Sequence, residues 1–299
     1  MRGLASNSIG PMRRLLTFVL FTCLMPIHAQ TPGPASPTQN APVDQENARK
    51  AKDVIDKTIQ ALGGSAYLSA QDMTQDGRFY SFFHGQSNSV GIPYGLLTKF
   101  PDKDRFEVLK LRNYHILWWT VGNVPAKDKA DIVLIHNGNK GYEITYKGTA
   151  AEEPADTANY LRRRTHSLPM VLREWLHAPG VALFYAGPTV VEGKPAQQVT
   201  VMNAQNDAVD LWVDEHTFLP IKKSYSWRDP SDKLRNFEDE VYDNYKPVQG
   251  VMTPHSVTRY LNGDMSNQRF INTVSYNQNL ADNLFEASVT YDPKKPLKR

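Results

Sequence analysis

The sequence predicts a mainly β protein with a few helices: a large curved antiparallel sheet forming a half-open barrel, its concave face covered by helices. Three observations carry this. Apolar and polar residues alternate with period two through most of the chain from Thr74 to Asn277, as strand side chains do when one face is buried. Turn residues punctuate the alternation, and helical periodicity is confined to one stretch ahead of the strands and one in mid-chain. Strands this numerous would leave long exposed edges in a flat sheet, so curling into a partly closed barrel is favoured.

At the amino terminus, Arg2, Arg13 and Arg14 precede the apolar run "LLTFVLFTCLMPI", which is followed by "HAQ". This is the layout of a secretory signal peptide over residues 1–29, cleaved near Ala29, in a periplasmic or secreted protein. The run is too short for a stable span, so a membrane-spanning protein is not expected. Without these three arginines, Lys and Arg fall from 34 to 31, level with the 31 Asp and Glu. A neutral mature chain lacks the basic stripe that neutralises phosphates, which argues against a nucleic-acid partner. The one cysteine, Cys23, lies in the signal run. The mature chain therefore has neither disulfide nor thiol nucleophile and depends on core packing.

Residues 30–43 are rich in Pro and small polar residues, as in "TPGPASPTQNAPV", and read as a linker. A single domain is expected over 44–299. Its first element is a helix from Glu46 to Leu62, where Ala51, Ile55, Ile59 and Leu62 recur at helical spacing and Gly63-Gly64 supplies the stop.

The candidate strands are "TQDGRFYSFF", "YGLLTKF", "DRFEVLKL", "YHILWWTVG", "ADIVLIHN", "KGYEITYKG", "VALFYAGPTVVEG", "PAQQVTVMN", the pair within "LWVDEHTFLPIKKSYSW", "RNFEDEVYDNY", "TPHSVTRYLNG" and "SNQRFINTVSYN". Asn137-Gly138 and Asn262-Gly263 suit tight hairpin turns. Between "TYKGT" and "VALFY", Leu168, Val171, Leu172, Trp175 and Leu176 form an apolar helical stripe that starts at Ser167 and stops at Gly180. Such a face must pack on something apolar, and the concave side of the sheet is the natural site for a lid.

Catalytic constellations do not emerge. The histidines are scattered singly without metal-ligand spacing, and there is no nucleophile elbow, phosphate loop or dinucleotide fingerprint. No enzyme activity, metal or cofactor is expected. In "FEDEVYD", Glu238 and Glu240 share one strand face while Asp239 takes the other, which reads as a solvated sheet face; Arg162, Arg163 and Arg164 read as wetting the outer side of the lid. Aromatic residues on strands and lid are the remaining feature. The candidate lining of a hydrophobic cavity or lid is Trp118, Tyr142, Leu172, Trp175, Leu176, Trp212 and Trp227.

The chain also resembles the periplasmic outer-membrane lipoprotein carrier and sorting superfamily, the LolA/LolB-like proteins. The resemblance rests on "ALGGSAYLSAQDM" leading into the first strand, "KFPDKDRFEV", "HNGNKGYEITYKGT", "LWVDEHTFLPIKKSYSW" and "YKPVQGVMTPHSVTRYLNG", across most of residues 46–286. It implies an incomplete antiparallel barrel under helices and a non-catalytic carrier whose partner is a lipid or an acylated protein. Because the superfamily also holds stress-sensing envelope proteins, an interaction module with a filled cavity and a protein partner in the cell envelope is the alternative. The resemblance carries over no particular acyl-binding arginine; Arg78, Arg105 and Arg112 lie on the early strands.

Overall fold

The computed structural model describes residues 41–116 and 119–293, with side chains described at 44–109 and 130–293. The expected signal peptide (1–29) and residues 30–40 of the expected linker lie outside them. Helix α1 spans Ala41–Leu62 and begins ahead of the predicted Glu46. Ala51, Val54, Ile55, Thr58 and Leu62 are its buried positions, a single stripe at helical spacing. Gly63 closes it with φ +125°, where a Cβ would collide with the Gly250 carbonyl, so this close approach requires glycine. A short helix α2 (Ser65–Ser69) leads into the sheet.

The strands are β1 (Asp72–Phe83), β2 (Gln86–Ser87), β3 (Ile92–Lys99), β4 (Lys103–Ile116), β5 (Trp119–Asn137), β6 (Lys140–Thr145) and β7 (Gly148–Ala151). After the helical crossing come β8 (Ala182–Val191), β9 (Lys194–Met202), β10 (Ala208–Asp214), β11 (Pro220–Arg228), β12 (Arg235–Val248), β13 (Val251–Leu261) and β14 (Asp264–Tyr276). They form one curved antiparallel sheet in the order β7-β6-β5-β4-β3-β1-β14-β13-β12-β11-β10-β9-β8, with β2 paired to β1. The chain meanders outward from β1 to one edge, crosses to the other edge, and meanders back until β14 pairs with β1. The edges β7 and β8 do not pair, so the barrel stays open.

Three segments differ from the sequence expectation. "YHILWWTVG" is not one strand: its start ends β4 and Trp119 begins β5, so it spans a hairpin whose tip, residues 117–118, lies outside the described residues. "KGYEITYKG" is divided by a turn at Tyr146-Lys147 into β6 and the start of β7. The mid-chain helix is longer and broken: α3 (Pro154–Thr165) comes first, then a π-helical turn at Met170–Glu174 and a 3₁₀ turn at Trp175–His177. Ser167 does help to start the second piece, its Oγ accepting from the Met170 N–H at 3.4 Å. Of the two Asn-Gly turns, Asn262-Gly263 has positive φ at both residues, while the β5–β6 turn is Gly138-Asn139.

The main core fills one half of the concave side, where α1 and Leu168, Val171, Leu172 and Trp175 pack on inward residues of β9, β10 and β11, such as Val199, Val201, Val209, Leu211 and Tyr225. A smaller cluster lies on the opposite sheet face, where Phe285, Leu280 and Leu284 of the carboxy-terminal segment cover Val133 and Ile135 of β5. Asp282 pins that segment to Lys99 (2.9 Å) and Lys103 (2.7 Å).

Candidate functional site

The register carries inward positions from strand to strand. Gln75 of β1 pairs with Leu96 of β3, Leu96 with Phe106 of β4, and Phe106 with Leu134 of β5. In the other direction, Phe79 pairs with Arg269 of β14, Arg269 with Val257 of β13, and Val257 with Tyr242 of β12. Opposite pairs share a sheet face, so these residues form one continuous floor. Above it runs α3, where Asn159, Tyr160, Arg163 and Arg164 occupy one helical face. Between floor and helix lies an open cavity of about 790 Å³, within the roughly 300–1,000 Å³ usual for small-molecule sites.

The lining is apolar along Phe79, Leu96, Phe106 and Leu134, and again along Met73, Phe100, Leu168 and Val274. Phe79 and Phe106 have ring centroids 5.6 Å apart, and Phe106 stacks on Tyr94 at 5.3 Å. One end is polar. His136 Nε2 lies 3.0 Å from Glu152 Oε2, and its ring stacks on Tyr160 at 3.4 Å. Thr157 donates to the same glutamate oxygen at 2.7 Å, while the Tyr160 hydroxyl donates to Asp104, which also accepts from Thr98 at 2.6 Å. Burial would raise the Glu152 pKa, but the bonds from His136 and Thr157 hold it below the ordinary value. Burial and the neighbouring Asp104 push the Tyr160 phenol well up.

Charge is concentrated at the middle of the concave wall. Glu240 accepts from Arg259 Nη2 (3.1 Å) and the Tyr242 hydroxyl (2.8 Å), with Lys223 Nζ 3.4 Å away; Arg259 Nε lies 3.5 Å from Glu238. Burial opposes ionisation of Glu240, yet Lys223 and Arg259 overcome it and hold the carboxyl far below its ordinary range. Arg163 points at this group from α3. Its pKa is lowered first by burial and then by Arg259, although a guanidinium stays protonated in proteins.

The wet readings of these charges are thereby corrected. Glu238 and Glu240 are buried because the face they share is the concave one, and Lys223, in phase with Tyr225, is buried with them. Arg162 stacks over the Trp227 ring at 4.1 Å. Arg164 donates to the carbonyls of Gly138 (2.6 Å) and Asp102 (3.1 Å), tying α3 to two hairpin turns. Arg163 lines the cavity.

The residues singled out from the sequence lie elsewhere. Leu172 and Trp175 are core, and Leu176 packs against that core. Trp227 faces inward among core residues under Arg162. Tyr142 packs with Ile135 in the cluster on the opposite face. Trp212 alternates with Leu211 and Val213 and so faces away from the core, with Lys222 Nζ 5.3 Å from its ring centre. Trp118 lies outside the described residues. The actual floor was present in the alternation of "RFYSFF", "YGLLTKF" and "DRFEV", but nothing in those strings distinguishes a face lining open space from one pressed against a helix. Of the early arginines, Arg78 donates to the Gly91 carbonyl and Arg105 to Glu107 and the Leu284 carbonyl; the side chain of Arg112 is outside the described ones.

Among the described residues, no group of three or more His, Cys, Asp or Glu is arranged to hold a metal ion. No described helix is long and apolar enough to cross a membrane.

No family model matches the sequence, and no curated protein sequence matches it. Among solved structures, the chain is similar to a DUF1329 family protein from Desulfovibrio piger at 12% identity and TM-score 0.53, over 80% of this chain and 97% of that one. A putative outer membrane lipoprotein-sorting protein domain from Vibrio parahaemolyticus matches at 12% identity and TM-score 0.47, over 79% and 97%. A LolA superfamily protein from Nitrosomonas europaea matches at 11% identity and TM-score 0.47, over 79% and 97%. At this identity the first likeness shows a shared fold, the large curved antiparallel sheet.

Proposed function

We propose that this protein is a non-catalytic binder or carrier of the acyl chains of a lipid or lipid-modified protein, acting in the periplasm or outside the cell. The observation that carries the reading is the open cavity of about 790 Å³ between α3 and the aromatic and aliphatic floor of the sheet. A preformed, largely apolar, concave space with a few polar groups is what a flexible hydrocarbon ligand needs, since its burial removes apolar surface from water without reordering the protein. The basic, apolar and small-residue order at the amino terminus supports the location.

Native mass spectrometry of the purified protein, with lipid extraction, tests this. The expected result is a bound acyl species, and uptake of a fluorescent fatty-acyl probe after delipidation. A clean apo mass together with no probe uptake would overturn it and turn attention to an envelope protein partner.

A further inference from the structure

The loops at one end of the sheet carry an apolar surface outside the cavity. Successive turns of an antiparallel meander fall alternately at two rims, and Arg164 ties α3 to the rim formed by the Gly138 and Asp102 turns. The β1–β3, β13–β14 and β11–β12 connections lie at the opposite rim and adjoin one another. His84 Nδ1 of the first is 3.9 Å from Asp264 of the second. Asn262 of the second bonds twice to Phe237 at the start of β12: its N–H donates to the Phe237 carbonyl and its Oδ1 accepts from the Phe237 N–H, both at 2.9 Å. On this stretch Phe83, Val90, Leu234, Phe237 and Leu261 are between 41% and 76% exposed. A row of large apolar side chains in water marks an interaction surface.

Charge and continuity point to what covers it. Cations lie along exposed aromatic rings of this rim, Arg235 5.2 Å from the Phe237 ring centre and, on the β6–β7 turn, Lys147 5.6 Å from that of Tyr146. Such pairs suit the headgroup layer of a membrane, where one side is apolar and the other charged. The β4–β5 ladder passes the same rim: β3 last pairs with β4 at Tyr94–Val108, whereas β4 and β5 stay paired to Ile116–Trp119. Residues 84–91, 110–116, 119–129, 146–147, 228–235 and 262–264, which make up this rim, hold eight Lys and Arg against four Asp, in a chain where the two signs are equal beyond residue 29. That surplus complements an anionic lipid surface. Phe83 is also in phase with Phe79 of the cavity floor, so an apolar track leads from rim to cavity.

We propose that this rim rests on an anionic lipid bilayer, with Phe83, Val90, Leu234 and Phe237 entering the headgroup layer, and that an acyl chain passes between bilayer and cavity along Phe83 and Phe79. The choice of a bilayer over a protein rests on the acyl-binding reading, and the experiment separates the two. In the full chain carrying Cys23→Ser, an environment-sensitive fluorophore is attached at Val90→Cys or, as the control, at Val190→Cys on the opposite rim, which is 70% exposed. The apolar run at residues 15–27 is common to both chains, so vesicle binding through it favours neither label. Vesicles of phosphatidylcholine with about one-third phosphatidylglycerol should blue-shift the Val90 label alone, and pure phosphatidylcholine should need about tenfold more lipid for the same shift. Adding Phe83→Asp and Leu234→Asp should abolish the shift and leave uptake of a soluble fatty-acyl probe intact. A Val90 label that stays silent, both labels shifting alike, or equal response to the two vesicle types would overturn the proposal. So would a Val90 shift that grows with protein concentration in the absence of lipid, which would assign the rim to a second copy of the chain. Any of these with probe uptake intact leaves the acyl reading standing, whereas loss of uptake in the unaltered protein overturns that reading itself.

Discussion

Lys223 and Glu240 face each other across the β11–β12 ladder, Nζ 3.4 Å from Oε2, with the lysine side chain 1% exposed and the glutamate 11%. A buried ion pair adds little stability over an apolar pair, but breaking one leaves its partner charged and dry.

Glu240→Gln would strand the buried Lys223 and leave Arg259 with Glu238 alone, and is expected to cost about 3–5 kcal/mol at neutral pH. Because the Glu240 carboxyl is held below its ordinary value of 4.5, its contribution is present above that value and is lost as the pH falls below it. Urea unfolding of parent and variant at pH values above and below 4.5 should therefore show the difference shrinking in acid. A variant as stable as the parent at neutral pH would contradict the pairing.

His166 sets a second, milder acid response. Its ring stacks on Tyr225 at 4.2 Å, and Nδ1–H donates to the Arg162 carbonyl at 2.7 Å. Burial lowers its pKa from the ordinary 6.5 despite that bond. The unfolded chain then binds the proton more readily than the folded one, so stability is complete above about 6.5 and declines as pH drops through the window beneath it. In His166→Phe the Arg162 carbonyl keeps the backbone N–H of residue 166 at 3.2 Å, and the decline should begin only in the carboxylate range. Thermal unfolding across pH decides this; an unchanged onset would assign the decline to other groups.

Asn47 of α1 closes the open edge of the sheet by standing in for a strand. Its amide donates to the Tyr185 carbonyl at 2.7 Å and accepts from the Tyr185 N–H at 2.8 Å. Nearby on β8, Phe184 is 45% exposed and Val190 70%. Asn47→Ala is expected to cost about 1–3 kcal/mol through the two lost bonds and to raise self-association, since an unpaired apolar edge templates further pairing. Light scattering during mild heating measures the second effect; a variant that stays monomeric would show that the bulk of α1 alone protects the edge.

Core and cavity residues should respond oppositely. Trp175→Ala is expected to cost about 3–5 kcal/mol, as truncation of a buried aromatic does. Leu96→Trp instead places bulk in open space at the cavity floor and should reduce acyl-probe uptake with little loss of stability. Denaturation and probe titration on both variants give the comparison; uptake undiminished in Leu96→Trp would move the binding site elsewhere.

Much of this fold was legible because its elements are long and strongly periodic. The α1 stripe, the Gly63-Gly64 stop and the alternation of Val209, Leu211 and Val213 all appear in the structure as read. Misreadings fell where turns lack the usual residues: Tyr146-Lys147 is a turn without Gly, Asn or Pro, and the β4–β5 hairpin turns within an apolar string. The broken mid-chain helix was partly legible, since Ser167 and Pro169 mark the restart, but the Pro154 start of α3 was missed. At the site, the aromatic residues drew attention because they are large, whereas Arg163 read as a charge wetting the outer side of the lid and the buried Lys223 carried no signal of its own.

By itself, then, the sequence determined most of the strands, the first helix and which of their side chains share a face, because periods of 2 and 3.6 are properties of the local backbone. Tertiary structure alone decided that the face bearing Glu238 and Glu240 is the concave one, that Leu172 and Trp175 are packed solid against β9–β11, and that α3 stands off from Phe79, Leu96 and Phe106. Those outcomes depend on the curvature of the whole sheet and on where the crossing between β7 and β8 is anchored, through contacts such as Arg164 to the Gly138 and Asp102 carbonyls, and no local period encodes a distance between two elements.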